Sequence, residues 1–211
     1  MKTLATLTLL SISLLAAPHA ARAQLSIPDD PAAKVFMKAN ALPFYDASKD
    51  ETGVSMTPYW LTGSSANHPV YSSTAIDLGV LLPNEGVKFA AYFTYPGKTY
   101  AAPRQIMLKL SSTKRGGRRF SDGDKLSVVV DGQSLGVGDT AITLLKYKAA
   151  IPKPNTEYVD EVVNAPLSLE DFNRLAAAKK VELRVGAESW KLGQTPLKAV
   201  RRLAEAIGEA K

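Results

Sequence analysis

Two segments of this chain, Lys125–Thr140 and Lys180–Thr195, alternate apolar and polar residues, turn sharply and return, which is the pattern of an antiparallel hairpin. In the first, Leu126, Val128 and Val130 share one face, and Asp131-Gly132 is a favoured pair for a tight type I′ turn. Leu135 and Val137 then lie on the returning arm. In the second, Val181, Leu183 and Val185 alternate with Lys180, Glu182 and Arg184, and Trp190 and Leu192 return after Gly186-Ala187-Glu188. At an offset of 55, Lys125/Lys180, Val130/Val185, Ser134/Ser189, Gly138/Gly193 and Thr140/Thr195 coincide. Any hairpin needs alternation and a turn, so common grammar explains part of this match and duplication stays open beside it.

Strand-like stretches also run from Val70 to Leu82, Val87 to Tyr95 and Gln105 to Ser112, punctuated by Pro83-Asn84-Glu85-Gly86 and Pro96-Gly97. Ile106, Leu108 and Leu110 share a parity, as do Phe89, Phe93 and Tyr95, so each set forms one face of a half-buried strand. Residues 24–69 read differently. Pro28, Pro31, Pro43, Pro58 and Pro69 interrupt them, which predicts an irregular arm packed on the body, with a short helix capped by Asp30 running to about Asn40. Late in the chain, Ser168 caps a short helix carrying Phe172, Leu175 and Ala176 and ending near Lys179. Thr195 is then expected to cap an amphipathic helix with Pro196 in its first turn and Leu197, Val200, Leu203, Ala204 and Ile207 on its buried stripe.

These elements predict a mainly β fold, an antiparallel sandwich or open barrel of roughly seven to nine strands over residues 54–193, with one inserted helix and one terminal helix. The fallback class is α+β. The chain divides into 1–23, the arm 24–69 and a β-rich body 70–211.

Residues 1–23 have the grammar of an export signal. Lys2 supplies the basic start, Leu4 to Leu15 the apolar run, Pro18 the break, and Ala21-Arg22-Ala23 the cleavage box before Gln24. The run is shorter than the ~20 residues a membrane span requires. Cleavage would remove two cations, no acid and His19, so the formal charge of +6 would fall to +4. With no Cys there is neither a disulfide framework nor a lipidated cysteine. The expected compartment is periplasmic or extracellular. In that compartment nucleic acid is excluded as the expected partner, and no transmembrane segment is expected.

Catalytic signatures are absent from the sequence: no phosphate loop, no HExxH, no GxSxG, and one remaining histidine, His68, beside Pro69. No cofactor and no metal site are expected. The sharpest charged feature is Lys114-Arg115-Gly116-Gly117-Arg118-Arg119, four cations around two glycines, which fits either a solvated loop tip or a grip on phosphate and carboxylate groups. Lys114, Arg115, Arg118 and Arg119 are therefore the candidate binding residues. Their expected partner is an anionic envelope polymer or another envelope protein. A competing reading is a carboxylate-dependent, glycosidase-like hydrolase drawing on Asp122, Asp124, Glu157, Asp160 and Glu161. A third is a structural or oligomeric envelope subunit, which would expose a sheet edge or an apolar patch.

Overall fold

The computed structural model describes residues 25–61, 85–148 and 156–210. The expected signal, the strand at Val70 to Leu82 and His68 lie outside the described residues. In chain order the strands are β1 (Leu25–Ser26), β2 (Ala41–Asp46), β3 (Glu51–Met56), β4 (Tyr59–Trp60), β5 (Gly86–Pro96), β6 (Gln105–Arg115), β7 (Leu126–Val130), β8 (Gln133–Ser134), β9 (Ala141–Lys148), β10 (Glu157–Ser168), β11 (Val181–Val185) and β12 (Glu188–Lys191). The helices are α1 (Pro31–Lys38), α2 (Leu169–Ala177) and α3 (Gln194–Glu209). The fold is mainly β, with every strand pair antiparallel, as the alternating segments predict.

A large sheet runs in the order β1-β2-β3-β5-β6-β10-β9, with β4 also on β5, and a small sheet runs β12-β11-β7-β8. One face of the large sheet is apolar by strand parity: Phe89, Phe93 and Tyr95 on β5, Ile106, Leu108 and Leu110 on β6, Val163, Ala165 and Leu167 on β10, all buried. Helices α1 and α3 cover the β2–β5 end of that face through Phe36, Leu197, Val200, Leu203 and Ile207. Helix α2 and the small sheet cover the β6–β10 end through Phe172, Leu175, Val128 and Leu183.

The two hairpins seen in the sequence form the small sheet, and their relation is now geometric. Across the β7–β11 seam Val128 stands opposite Leu183, its equivalent at the 55-residue offset, and the flanking pairs are exchanged about it, Val130 with Val181 and Leu126 with Val185. That register places a local pseudo-twofold through this pair, perpendicular to the sheet. Both hairpins turn in two residues, and Leu135 N donates to Val128 O as Leu192 N donates to Val181 O. Asp131 (φ 48°) and Gly132 (φ 88°) both adopt the left-handed backbone that a type I′ turn demands.

The stretch expected to be irregular is regular over its described part. Residues 25–61 contribute α1 and four strands of the large sheet. Pro43 is tolerated because Thr57 N donates to Asn40 O, a register that turns the Pro43 nitrogen away from β3 and toward the outer edge. Pro31 occupies the first turn of α1, and Asp30 accepts from Ala32 N at 2.8 Å, as the sequence predicts. Ser168 likewise caps α2, accepting from Asp171 N. For α3 the expected cap is displaced: the cap residue is Gly193, not Thr195, and it makes no side-chain bond. Proline fits at the third helical position because its missing N–H has no intrahelical acceptor there. Arg201 of α3 closes the end of α2, its Nε donating to Ala176 O at 2.9 Å and its Nη2 to Ala178 O at 2.7 Å.

Tyr100 ties α1 and α3 together. Its backbone N–H donates to Asp30 Oδ2 at 2.6 Å and its hydroxyl to Ile207 O at 3.0 Å. Burial, and then the neighbouring Tyr95, push the Tyr100 hydroxyl up to about 12. A pKa raised on folding contributes stability that is complete below the unfolded value near ~10 and is lost as pH rises through the folded value. Chemical denaturation at stepped pH should therefore show stability falling from about pH 10 to 12. Tyr100→Phe should flatten that fall, and an unchanged slope would exclude Tyr100 as its source.

Candidate functional site

The cationic loop follows β6, where Gly116 (φ 74°) and Gly117 (φ 158°) let the chain leave the strand, and it returns at Phe120 to the core. Phe120 meets Trp190 of β12 edge-to-face at 6.1 Å, so the loop is the joint between the two sheets. At its centre lies Glu161 of β10. Val159, Glu161, Val163, Ala165 and Leu167 share the inward parity, and Glu161 is fully buried among them. Its carboxylate accepts from Arg119 N, from Phe120 N at 3.2 and 3.3 Å, and from Arg118 Nε at 3.4 Å. A buried charge persists only when paired and hydrogen-bonded, and the loop supplies both.

The four candidate cations are thus placed as follows. Arg118 also pairs with Asp122 at 2.8 Å, and its Nη2 is buried without a hydrogen-bond partner. Arg119 bridges the sheets, with Nε on Ser112 Oγ at 2.8 Å and Nη1 on both oxygens of Glu188 at 3.1 and 3.0 Å. Lys114 Nζ donates to Arg118 O at 3.1 Å. Arg115 is exposed, and Glu85 Oε2 accepts from its backbone N–H at 3.4 Å. Two of the four guanidinium and ammonium groups are therefore neutralised by carboxylates, and the loop is stapled down instead of waving as a tip.

The candidate acids do not share one open site. Both oxygens of Glu161 are occupied inside the core. Asp160, the residue before it on β10, faces the opposite side of the sheet and accepts from Thr113 Oγ1 at 2.7 Å. Glu157 begins the strand and is exposed. Asp122 and Asp124 sit in the turn before β7, Asp122 against Arg118 and Asp124 accepting from Ser121 N at 2.8 Å. On that opposite face Lys88 stands 4.5 Å from the Trp60 ring centre, and burial pushes its ammonium below the ordinary lysine range.

A cleft of about 540 Å³ opens on the outer side of the small sheet, lined by Val129, Lys179, Lys180, Glu182, Arg184, Lys191 and Gln194 among others. Arg184 forks onto Glu182, with both contacts at 3.0 Å, and this pairing holds the Glu182 carboxyl below its usual range. Among the described residues Lys179, Lys180 and Lys191 form no ion pair within 4.0 Å. The first turn of α3 begins at the cleft wall with Gln194, and its N-terminal amides lack a side-chain cap. The sequence shows Lys180 as an outward strand position, but not that Lys179, Lys180 and Lys191 converge, because the hairpin turn between them brings Lys191 back beside Glu182. Among the described residues no helix is long and apolar enough to cross a membrane.

No known protein family, curated protein or solved structure matches the chain.

If Glu161 is the centre of the joint, Glu161→Ala strands the buried Phe120 amide, the part-buried Arg119 amide and a guanidinium. It should cost about 3 kcal/mol or more in urea denaturation. Asp122→Ala, whose side chain is 88 % exposed, should leave the midpoint within error. Equal effects of the two substitutions would remove the joint from the account.

Proposed function

We propose that this chain is a non-enzymatic, exported binding domain of the cell envelope, and that it holds an anionic polymer in the lysine-lined cleft of its small sheet. The observation that carries this reading is the convergence of Lys179, Lys180 and Lys191 on one cleft, none in a salt bridge within 4.0 Å among the described residues, beside the first turn of α3. Three ammonium groups outside any salt bridge, Lys191 among them although Glu182 stands opposite it across the β11–β12 pair, favour phosphate or carboxylate groups repeated along a chain, since each group needs only a point charge nearby. Arg115, the exposed guanidinium of the Lys114–Arg119 loop, adds a second cationic position. Lys114, Arg118 and Arg119 act on the ligand through the joint they hold. Supporting export is the order of Lys2, the Leu4–Leu15 run, Pro18 and Ala21-Arg22-Ala23. The sequestration of Glu161 removes one acid from the hydrolase pool and favours binding over carboxylate catalysis.

Retention on phosphocellulose at low salt tests the cleft. The triple variant Lys179→Ser, Lys180→Ser, Lys191→Ser should elute at markedly lower salt than the native chain, with circular dichroism unchanged, and Arg115→Ser should shift elution less. Elution of the triple variant with the native chain would overturn the cleft. Export is read separately: cell fractionation with N-terminal sequencing should find the protein outside the cytoplasm beginning at Gln24, and an intact Met1 in the cytoplasm would refute it.

A further inference from the structure

The two lateral edges of the large sheet are unlike. On the β2 side, Ala41, Pro43 and Tyr45 turn their backbone outward, and β1 covers only Tyr45 and Asp46. Pro43 has no N–H, and β1 runs into Pro28. A second strand finds almost no donors there. The β9 side lacks those defences. Gly116 N donates to Glu157 O, so the odd-numbered residues of β10 turn their backbone to β6 and the even-numbered ones to β9. With Asp160 opposite Leu145, β9 spends residues 141, 143, 145 and 147 on β10, leaving the N–H and C=O groups of Ile142, Leu144, Lys146 and Lys148 facing outward. Pro166 agrees with this parity: it is an even-numbered position of β10, and the β9 pairing ends two residues earlier, at Asn164. Among the described residues β10 is the partner of β9, and no second strand lies beyond it. Leu144 and Leu145 at its centre are 39 % and 59 % exposed, on opposite faces of the sheet.

We propose that β9 pairs antiparallel with β9 of a second copy of this chain, joining the two large sheets edge to edge about a two-fold axis. Symmetry and charge choose the register. An antiparallel pair of identical strands has its two-fold perpendicular to the sheet, so some residue must face its own copy. Centring on Lys146 sets lysine against lysine, which like-charge repulsion disfavours. Centring on Leu145 sets Leu145 against Leu145, Leu144 against Lys146 and Ile142 against Lys148. No lysine then faces a lysine, and the lysine stems lie along the leucine and isoleucine side chains. This register also uses the outward groups of all four positions 142, 144, 146 and 148, whereas centring on Leu144 leaves Lys148 outside the overlap. Pro43 on the far edge blocks head-to-tail growth, so pairing stops at two copies instead of propagating into a fibre. The same axis keeps both small sheets on one side of the joined sheet, where two clefts could meet one polymer. That last consequence rests on the proposed function, and the dimer itself does not.

Sedimentation velocity of the purified protein across about 1 to 100 µM tests this. The native chain should pass from monomer to dimer as concentration rises. Leu145→Lys, which places like charges across the axis, should raise the dimer dissociation constant by at least about tenfold. Leu144→Pro removes an outward N–H without touching the β10 ladder and should also give monomer, while Leu42→Lys on the far edge should leave the dimer intact. Far-UV circular dichroism and melting monitor the fold, and Leu145→Lys, at the more exposed position, carries the test if Leu144→Pro perturbs β9. A native chain that stays monomeric throughout, or a Leu145→Lys variant that dimerises as the native chain does, would overturn the proposal. Phosphocellulose retention is scored on the same samples, so a failed cleft and a failed dimer give different results.

Discussion

The rest of the structure depends on one buried carboxylate. Strand β10 is the hinge of the large sheet, pairing with β6 on one side and β9 on the other, and its inward parity leaves no freedom over which residues enter the core. Val159, Val163, Ala165 and Leu167 suit that parity; Glu161 does not. A one-residue slip would free the glutamate but expose four apolar side chains and bury Asp160, Asn164 and Pro166 instead. The chain resolves the conflict locally by folding the Arg118–Phe120 backbone over the carboxylate. Once those amides are fixed, Phe120 is delivered to Trp190 and Arg119 to Glu188, and the small sheet is locked onto the large one. The ion pair is not the chief source of stability, since buried pairs of this kind roughly break even against apolar substitutes. Its effect is to specify one register and one docking position.

The small sheet shows a different constraint at work. Two hairpins with two-residue turns pair through β7 and β11, and a symmetric seam lets Val128 and Leu183 pack at its centre. The inner face needs apolar residues from both hairpins, so Leu135 and Trp190 occupy equivalent inward positions and both are buried. The outer face has no such demand. It is there that lysines accumulate, because outward strand positions tolerate charge at little cost. The division of labour between the faces follows from parity alone.

What was legible in the sequence was whatever local periodicity determines. The hairpins at 125–140 and 180–195, the strands around Phe93 and Leu108, and the caps at Asp30 and Ser168 all follow from spacing within a few residues. Strands β2, β3, β9 and β10 were not read as strands, for separate reasons. Pro43 reads as a breaker, yet it sits where its nitrogen points away from β3, a fact fixed only by the register, and Pro166 on β10 likewise lies beyond the β9 pairing. Among the described residues strand β9 is an edge with little buried surface, so it lacks the alternation that marks a half-buried strand. Glu157, Asp160 and Glu161 suggested a catalytic group, whereas Glu161 is a core residue. The cleft was illegible for a simpler reason: its lysines come from the two ends of a hairpin.

The cationic run at Lys114–Arg119 shows how local charge density misleads. Counted along the sequence it is four positive charges on one tip, more than solubility requires. Counted in space, Asp122 comes from the following turn, Glu161 from β10 and Glu188 from the β11–β12 hairpin, and each neutralises charge that the sequence leaves unanswered. A guanidinium already paired with a carboxylate has its charge largely neutralised, and a ligand that displaces the carboxylate must also offset the desolvation of the partner left behind. An exposed ammonium outside any salt bridge has a smaller cost. The discriminating property of a cationic surface is therefore how many of its charged groups lie outside salt bridges, and by that measure, among the described residues, the hairpin lysines of the small sheet outrank the denser run on the loop.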